Sequence, residues 1–153
     1  MMNGELEIIL LIILLSVFII TILIFFFLCP IINDYTSKQV TKDLLQVPLP
    51  EKTDVIEEFS RSGKLEGNGN GMQFFGAILI QSDLSLEELN EYYSDYRKTQ
   101  WDYIVEEQNT QSIDVIEHGY DSFNAEVASQ GYYIVYSWGK GLPPFEYFDL
   151  RGN

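Results

Sequence analysis

From Ile8 to Leu28 the chain reads IILLIILLSVFIITILIFFFL, without a charge, a glycine or a proline. At a rise of about 1.5 Å per residue, a helix of that length is roughly 30 Å long, the thickness of a bilayer's hydrocarbon core. Its two polar residues, Ser16 and Thr21, can return their hydroxyls to carbonyls of the preceding turn, so neither opposes insertion. Residues 8–28 therefore read as one transmembrane helix, after a short tail at residues 1–7. A secretory signal would need a basic leader, an apolar stretch of about 7 to 15 residues and small residues at its cleavage site. Here the leader MMNGELE is acidic and the apolar run is longer. Phe27 and Leu28 stand where a lipid-modification signal at Cys29 would want small residues. A retained anchor in the lipid bilayer is the expectation.

Cys29 is the only cysteine, which rules out an internal disulfide. At a membrane boundary it is a candidate for S-acylation, and the plainer reading is a small apolar residue at the helix end. Orientation rests on few charges. Lys38 and Lys42 follow the span within about 15 residues and none precede it, which by the positive-inside rule favours a cytoplasmic domain. Asp34 and Asp43 accompany them, and the bias is two charges.

Residues 29–50 read as a juxtamembrane helix and a spacer. Val40, Leu44 and Val47 recur at helical intervals, and Val47-Pro48-Leu49-Pro50 must be extended, because each proline fixes its own φ and restricts its predecessor. Residues 51–153 then form one small acidic domain. It holds both tryptophans and nine of the ten tyrosines, enough to bury a core despite the chain's net charge of −14.

Within it, Ser85 and Glu88 make a capping box, with Leu84 placed to staple onto Leu89. Leu86, Leu89, Tyr93 and Tyr96 share one face of a helix of about 13 residues. Met72 to Ile80, MQFFGAILI, reads as a buried central strand. Trp101, Tyr103 and Val105 alternate with polar residues as a strand with one wet face. Ile113 and Val115, continuing toward Phe123, read as another; Tyr132 to Trp138 is the last, and Thr53 to Leu65 suits an edge strand. The expected fold class is α+β: a transmembrane helix, then a small antiparallel-sheet domain of order β-β-α-β-β-β with one packed helix.

The stretch GKLEGNGNGMQFF places three glycines and two asparagines in alternation. A phosphate loop follows a strand and opens a helix, whereas these glycines lead into a strand, and the third glycine of G-x-G-x-x-G would fall on Met72. A calcium loop beginning at Glu66 needs a bidentate glutamate at its twelfth position, which is Ala77. A hairpin connection is the stronger reading, since Asn-Gly pairs readily supply positive φ. Ser137-Trp138-Gly139-Lys140 matches S-x-x-K but closes a strand and lacks the companion motifs. His118 is the only histidine, so no histidine pair for a metal exists. Adjacent glutamates at 57–58, 87–88 and 106–107 face different ways on a strand or helix. No catalytic, metal or cofactor-binding residues are assigned, and no cofactor is expected. An acidic domain repels nucleic acid and an anionic lipid surface alike.

GKLEGNGNGMQFFGAILIQSDLSLEELNEYY together with GYYIVYSWG resembles a set of small single-pass membrane proteins of Gram-positive bacteria that have no assigned activity. That resemblance implies a domain on the outer side of the cell membrane, against the two lysines, and carries over no site residues. The expected function is a membrane-anchored, extracytoplasmic, non-enzymatic domain that binds a protein or an envelope component. Its candidate contacts are Asn68 and Asn70 in the loop and Trp138 and Lys140 at the strand end. The alternative is a membrane-tethered enzyme with an unrecognised acidic site.

Overall fold

One helix, α1 (Gly4–Leu45), carries the whole apolar run and continues through Pro30 to the end of the juxtamembrane segment. The computed structural model describes residues 4–127 and 130–152. The most apolar stretch of α1 is long enough to cross a membrane and is uncovered by the rest of the protein. Ser16 Oγ donates to the Ile12 carbonyl and Thr21 Oγ1 to that of Val17, both at 2.8 Å, so the hydroxyls are satisfied inside the helix. The separate juxtamembrane helix expected after Cys29-Pro30 is thus the second half of a single rod. Pro30 costs the backbone bond to residue 26, and the helix survives because the turns after it are held by packing.

That packing is on a four-stranded antiparallel sheet. After α1 come β1 (Thr53–Gly63), β2 (Gln73–Ser82), α2 (Leu86–Ser94), β3 (Ile104–Glu107), β4 (Tyr132–Gly139), the single turn α3 (Phe145–Phe148) and a 3₁₀ turn at Leu150–Gly152. The strand order is β1-β2-β4-β3, which makes β1 an edge strand as its charged pattern indicates. Cys29, Asn33, Thr36, Ser37, Thr41 and Leu44 are buried at helical intervals along α1, so this stripe faces the sheet. It is mostly small and polar, and it lets the backbones approach closely. A Cβ on Gly76 would lie 2.5 Å from the Thr41 amide nitrogen and 2.8 Å from the Val40 carbonyl carbon, and one on Gly139 would collide with Val40 Cγ2. Thr41 Oγ1 donates to the Phe59 carbonyl at 2.7 Å, fastening the helix to the sheet.

Because side chains alternate along a strand, β2 serves two cores. Ile78 and Ile80 join Leu44, Val47, Leu89, Tyr93, Tyr103, Val105, Tyr133 and Val135 on the helix side. Phe75, Ala77 and Leu79 join Leu65, Ile113, Ile116, Phe123, Ile134 and Tyr136 on the other. Burial on both faces is why MQFFGAILI reads as nearly continuous apolar sequence. α2 begins on its expected capping box, with Ser85 N donating to Glu88 Oε2 at 2.8 Å and Glu88 N to Ser85 Oγ at 3.3 Å. It stops at Ser94, shorter than the charge pattern indicates.

Two strand expectations are corrected. The third strand begins at Ile104 rather than Trp101, because Tyr103 takes φ +52° and ends the alternation. The strand expected through Ile113 and Val115 is a covering loop, leaving β-β-α-β-β rather than β-β-α-β-β-β. Its only ladder contact among the described residues is the bridge between Ser112 and Ser122. Ile113 and Ile116 are buried at an interval of three, the spacing of a chain lying flat on a sheet face, not of a strand in register.

The contact at Gly76 leads to a stability test. Gly76→Ala drives a methyl into the α1 backbone, which has no side chain to rotate away, and lowers unfolding free energy by about 1–3 kcal/mol. Gly69→Ala, at a site with nothing within 4 Å, leaves it unchanged. Urea unfolding of the full chain in detergent micelles measures both.

Candidate functional site

The alternating glycines connect β1 to β2, which pair from Gly63 opposite Gln73. The connection is a hairpin, but a wide one, and its asparagines do not take positive φ; Gly67 (φ +72°) and Gly71 (φ +143°) do. The loop is pinned from inside by one side chain. Gln73 Oε1 accepts from the amides of Leu65 and Glu66 at 2.7 and 2.8 Å, and Gln73 Nε2 donates to the Glu66 carbonyl at 3.2 Å. From outside, Gly67 N donates to Glu117 Oε2 at 2.8 Å, and His118 Nε2 lies 2.7 Å from the Gly67 carbonyl oxygen. His118, read from the sequence as an exposed turn residue, is exposed and also a tether. Gly71 N donates to the Gly152 carbonyl at 2.6 Å, tying the loop to the C-terminal turn. Asn68 and Asn70 are left exposed at the tip.

Beside this loop lies a groove of about 260 Å³ lined by Glu66, Met72, Gln73, Phe74, Trp101, Trp138 and Gly139. Trp138 is half-buried, edge-on to Phe75 with ring centroids 4.9 Å apart. Trp101 is 55 % exposed in the turn that Tyr103 closes. Tyr103 N donates to Ser137 Oγ at 2.8 Å, and Arg97 Nη2 donates to the Tyr103 carbonyl at 3.3 Å. Those two bonds hold the positive φ, and they give the serine of the S-x-x-K match a structural task. Of the four candidate contacts, Trp138 lines this groove; Asn70 lines a neighbouring depression with Met72, Glu146 and Tyr147. Lys140 is exposed just beyond β4. Trp101 was missed from the sequence because its place in an alternating pattern assigned it to the core.

A second groove, of about 420 Å³, gathers Glu66, Glu106, Glu107, Asp114 and Glu117 around Tyr136. Tyr136 donates its hydroxyl to Glu106 Oε1 at 2.6 Å. Burial first, and the Glu106 carboxylate second, push that phenol well above its ordinary range. The carboxylates come from the hairpin loop, β3 and the covering loop, so no local motif announces them. Among the described residues no three His, Cys, Asp or Glu side chains are placed to hold one metal ion.

The glutamate pairs have one hydrogen-bonded member each. Glu57 accepts from Asn124 N, Asn124 Nδ2 and Ala125 N, each at 2.8 Å, and so holds the covering loop to β1. Burial pushes its carboxyl up, but those bonds together outweigh it and the net shift is downward. Glu88 caps α2, and Glu106 takes the Tyr136 hydroxyl.

The most heavily bonded cluster joins the C-terminus to α1. Arg151 Nη2 donates to Asp149 Oδ2 at 2.8 Å and to the Pro30 carbonyl at 3.1 Å, while its Nη1 donates to Asp34 Oδ1 at 2.8 Å. Asn33 Nδ2 donates to Asp149 Oδ2 at 2.9 Å, and Ser62 Oγ donates to Asp34 Oδ1. Burial raises the Asp149 carboxyl, yet the bonds from Arg151 and Asn33 prevail and hold it below the usual range. Comparison with protein-family models, with curated proteins and with solved structures finds no match to this chain.

A carboxyl held low in the folded state adds stability above its unfolded pKa and loses it as pH falls through the folded value. Asp149→Asn removes that contribution along with the negative charge that strengthens the bonds from Arg151 and Asn33. The variant is less stable at neutral pH by about 2 kcal/mol, and its stability falls less steeply than that of the parent below the ordinary carboxylate range. Urea unfolding in micelles at neutral and acid pH reads both effects.

Proposed function

We propose that the chain is a single-pass membrane protein anchored by residues 8–28, and that its acidic domain works on the extracytoplasmic side by binding a protein or an envelope component. The observation that carries the anchor is the unbroken α1. A signal sequence is removed at a site just past its apolar run, and here the residues past that run, Cys29 and Asn33 among them, are buried beneath the sheet and the C-terminal turn. The last turn of the run is itself in contact with the domain, Phe25 stacking on Phe145 and Phe25 and Phe26 meeting Phe148 edge-on. The outward orientation follows the resemblance noted in the sequence. Binding is supported by Trp101, a large side chain exposed beside Trp138 and Met72 at the mouth of a groove. Surface aromatics in such settings supply contact area at low entropic cost.

The acidic groove favours the second reading, a tethered enzyme, since convergent carboxylates around a shifted tyrosine are the kind of site that acid-base chemistry uses. The hydrogen bond from Tyr136 already occupies Glu106, which supports a structural role for that pair.

A reporter active only outside the cytoplasm, fused after Asn153 through a flexible linker, gives signal under this proposal; signal from cytoplasmic reporters alone overturns the orientation. A photo-reactive amino acid at Trp101 gives a discrete cross-linked species in cells, and one at Glu87 on the exposed face of α2 gives none. Equal labelling at both, or none at Trp101, counts against the groove. Glu106→Gln leaves that cross-link intact, whereas loss of the chain's cellular effect with the cross-link retained selects the enzymatic reading.

A further inference from the structure

The turn α3 has no buried residue, although three of its four residues are aromatic. Its aromatic rings rest on the apolar half of α1. Phe145 stacks on Phe25 with centroids 5.4 Å apart, and Phe148 meets Phe25 and Phe26 edge-on at 5.4 and 6.3 Å. Phe25 and Phe26 precede Leu28 by three and two residues, so they lie roughly 3–5 Å inside the end of the apolar run along the helix axis. α3 therefore sits level with the edge of the hydrocarbon that the run would occupy.

The outward side of this segment continues the surface of the span. Tyr147 is 72 % exposed and Leu150 74 %, beside Leu142 and Phe148, and on α1 Phe26, which Phe148 meets, is 41 % exposed. A continuous apolar surface of this kind marks an interaction site. The segment's ionic groups are turned the other way: Asp149 is buried against Asn33, Arg151 folds back on Asp149, Asp34 and the Pro30 carbonyl, and the half-buried Glu146 lies over Gly141 beside the depression that Asn70 and Met72 line. What faces out is aliphatic or aromatic, and Tyr147 is amphipathic in the manner of residues at membrane–water boundaries.

We infer that residues 142–150 lie in the lipid interface beside the transmembrane helix, as a second bilayer contact that fixes how the domain is turned on the membrane. The inference rests on the reading of residues 8–28 as a membrane span. The occupant is lipid rather than a protein, because the patch is continuous with Phe25 and Phe26 at the end of the apolar run, and whatever medium surrounds those rings surrounds α3 as well. A helix alone leaves rotation about its axis free; a lateral apolar wedge at the boundary sets it, as interfacial segments do when their apolar face sinks to the headgroup–acyl border.

Nitroxide labels on single cysteines test this in the full chain in phosphatidylcholine nanodiscs, Cys29 being buried away from label. The sites are Tyr147→Cys and Leu150→Cys, with Leu15→Cys in the span and the fully exposed Tyr120→Cys as references. Labels at 147 and 150 show a several-fold loss of collisions with a water-soluble nickel chelate relative to 120, and a gain in collisions with oxygen. If they match 120 while 15 reports lipid, the inference falls and the anchor stands. Water accessibility at 15 overturns both. Shielding of 147 and 150 from nickel and oxygen together means that a protein surface covers the segment, and it overturns the inference too.

Discussion

The approach of the α1 backbone to Gly76 is the contact on which the rest of the molecule depends. A helix normally rests on a sheet through its side chains; here the Thr41 amide is so near β2 that a methyl group has no room. Such proximity is available only where the helix presents Ser37, Val40 and Thr41 and the sheet presents Gly76 and Gly139. Its consequence is that the sheet and the apolar span belong to one rigid piece. Everything on the helix side of the sheet is arranged around that rod: α2 closes the core beyond Leu44, and the C-terminal turn closes it before Asn33.

The other side of the sheet has no helix and is covered by the loop between β3 and β4. A loop over a core must satisfy its backbone, and this one does so with polar side chains from β1 and from its own first residue after β3. Glu57 takes the amides of Asn124 and Ala125; Gln108 Nε2 donates to the carbonyls of Thr110 and Ser112. Each of Phe75, Leu79 and Phe123 then contributes about 1.5–3 kcal/mol of burial, which a layer of water on that face would forfeit. The acidic character of the chain is thus partly structural, because several carboxylates act as acceptors for loop amides that no regular element satisfies.

The parts of this fold legible in the sequence are those with a strong local cause. The apolar run, the capping box at Ser85 and Glu88, the doubly covered strand β2 and the edge strand β1 each follow from a pattern contained within one contiguous stretch of sequence. The packed half of α1 does not, because its sheet-facing stripe is Asn33, Thr36, Ser37 and Thr41, which by hydropathy reads as a wet linker. Close backbone packing replaces apolar side chains there, and only the partner glycines, thirty-five and more residues away, reveal it. Trp101 and the strand expected through Ile113 fail for a related reason: alternation marks which residues are apolar, not whether a positive φ at Tyr103 or the need to cover Phe75 takes the chain out of register. Of the candidate site, Trp138 was readable as a strand-end aromatic. Its partner Trp101 and the five carboxylates around Tyr136 come from segments that meet only in three dimensions.

The rigid rod also changes how a net charge of −14 can sit beside a membrane. A flexible spacer would keep an acidic domain clear of anionic headgroups, but residues 46–50 form the turn from α1 into β1, where the Tyr92 hydroxyl donates to the Pro48 carbonyl at 2.8 Å, at the end of the rod farther from the span. The end nearer the span carries Asp34 and Asp149, and both are engaged by Arg151. Interactions among exposed charges are screened within about 8 Å in physiological salt, so the acidic groups that matter at a lipid surface are those of this first layer. Arg151 offsets one of the two carboxylate charges there, and under the inference above it is the aromatic rings of α3 that face the lipid. On the proposed anchoring, the charge nearest the bilayer is lowered by one arginine folded back onto the helix end rather than by distance.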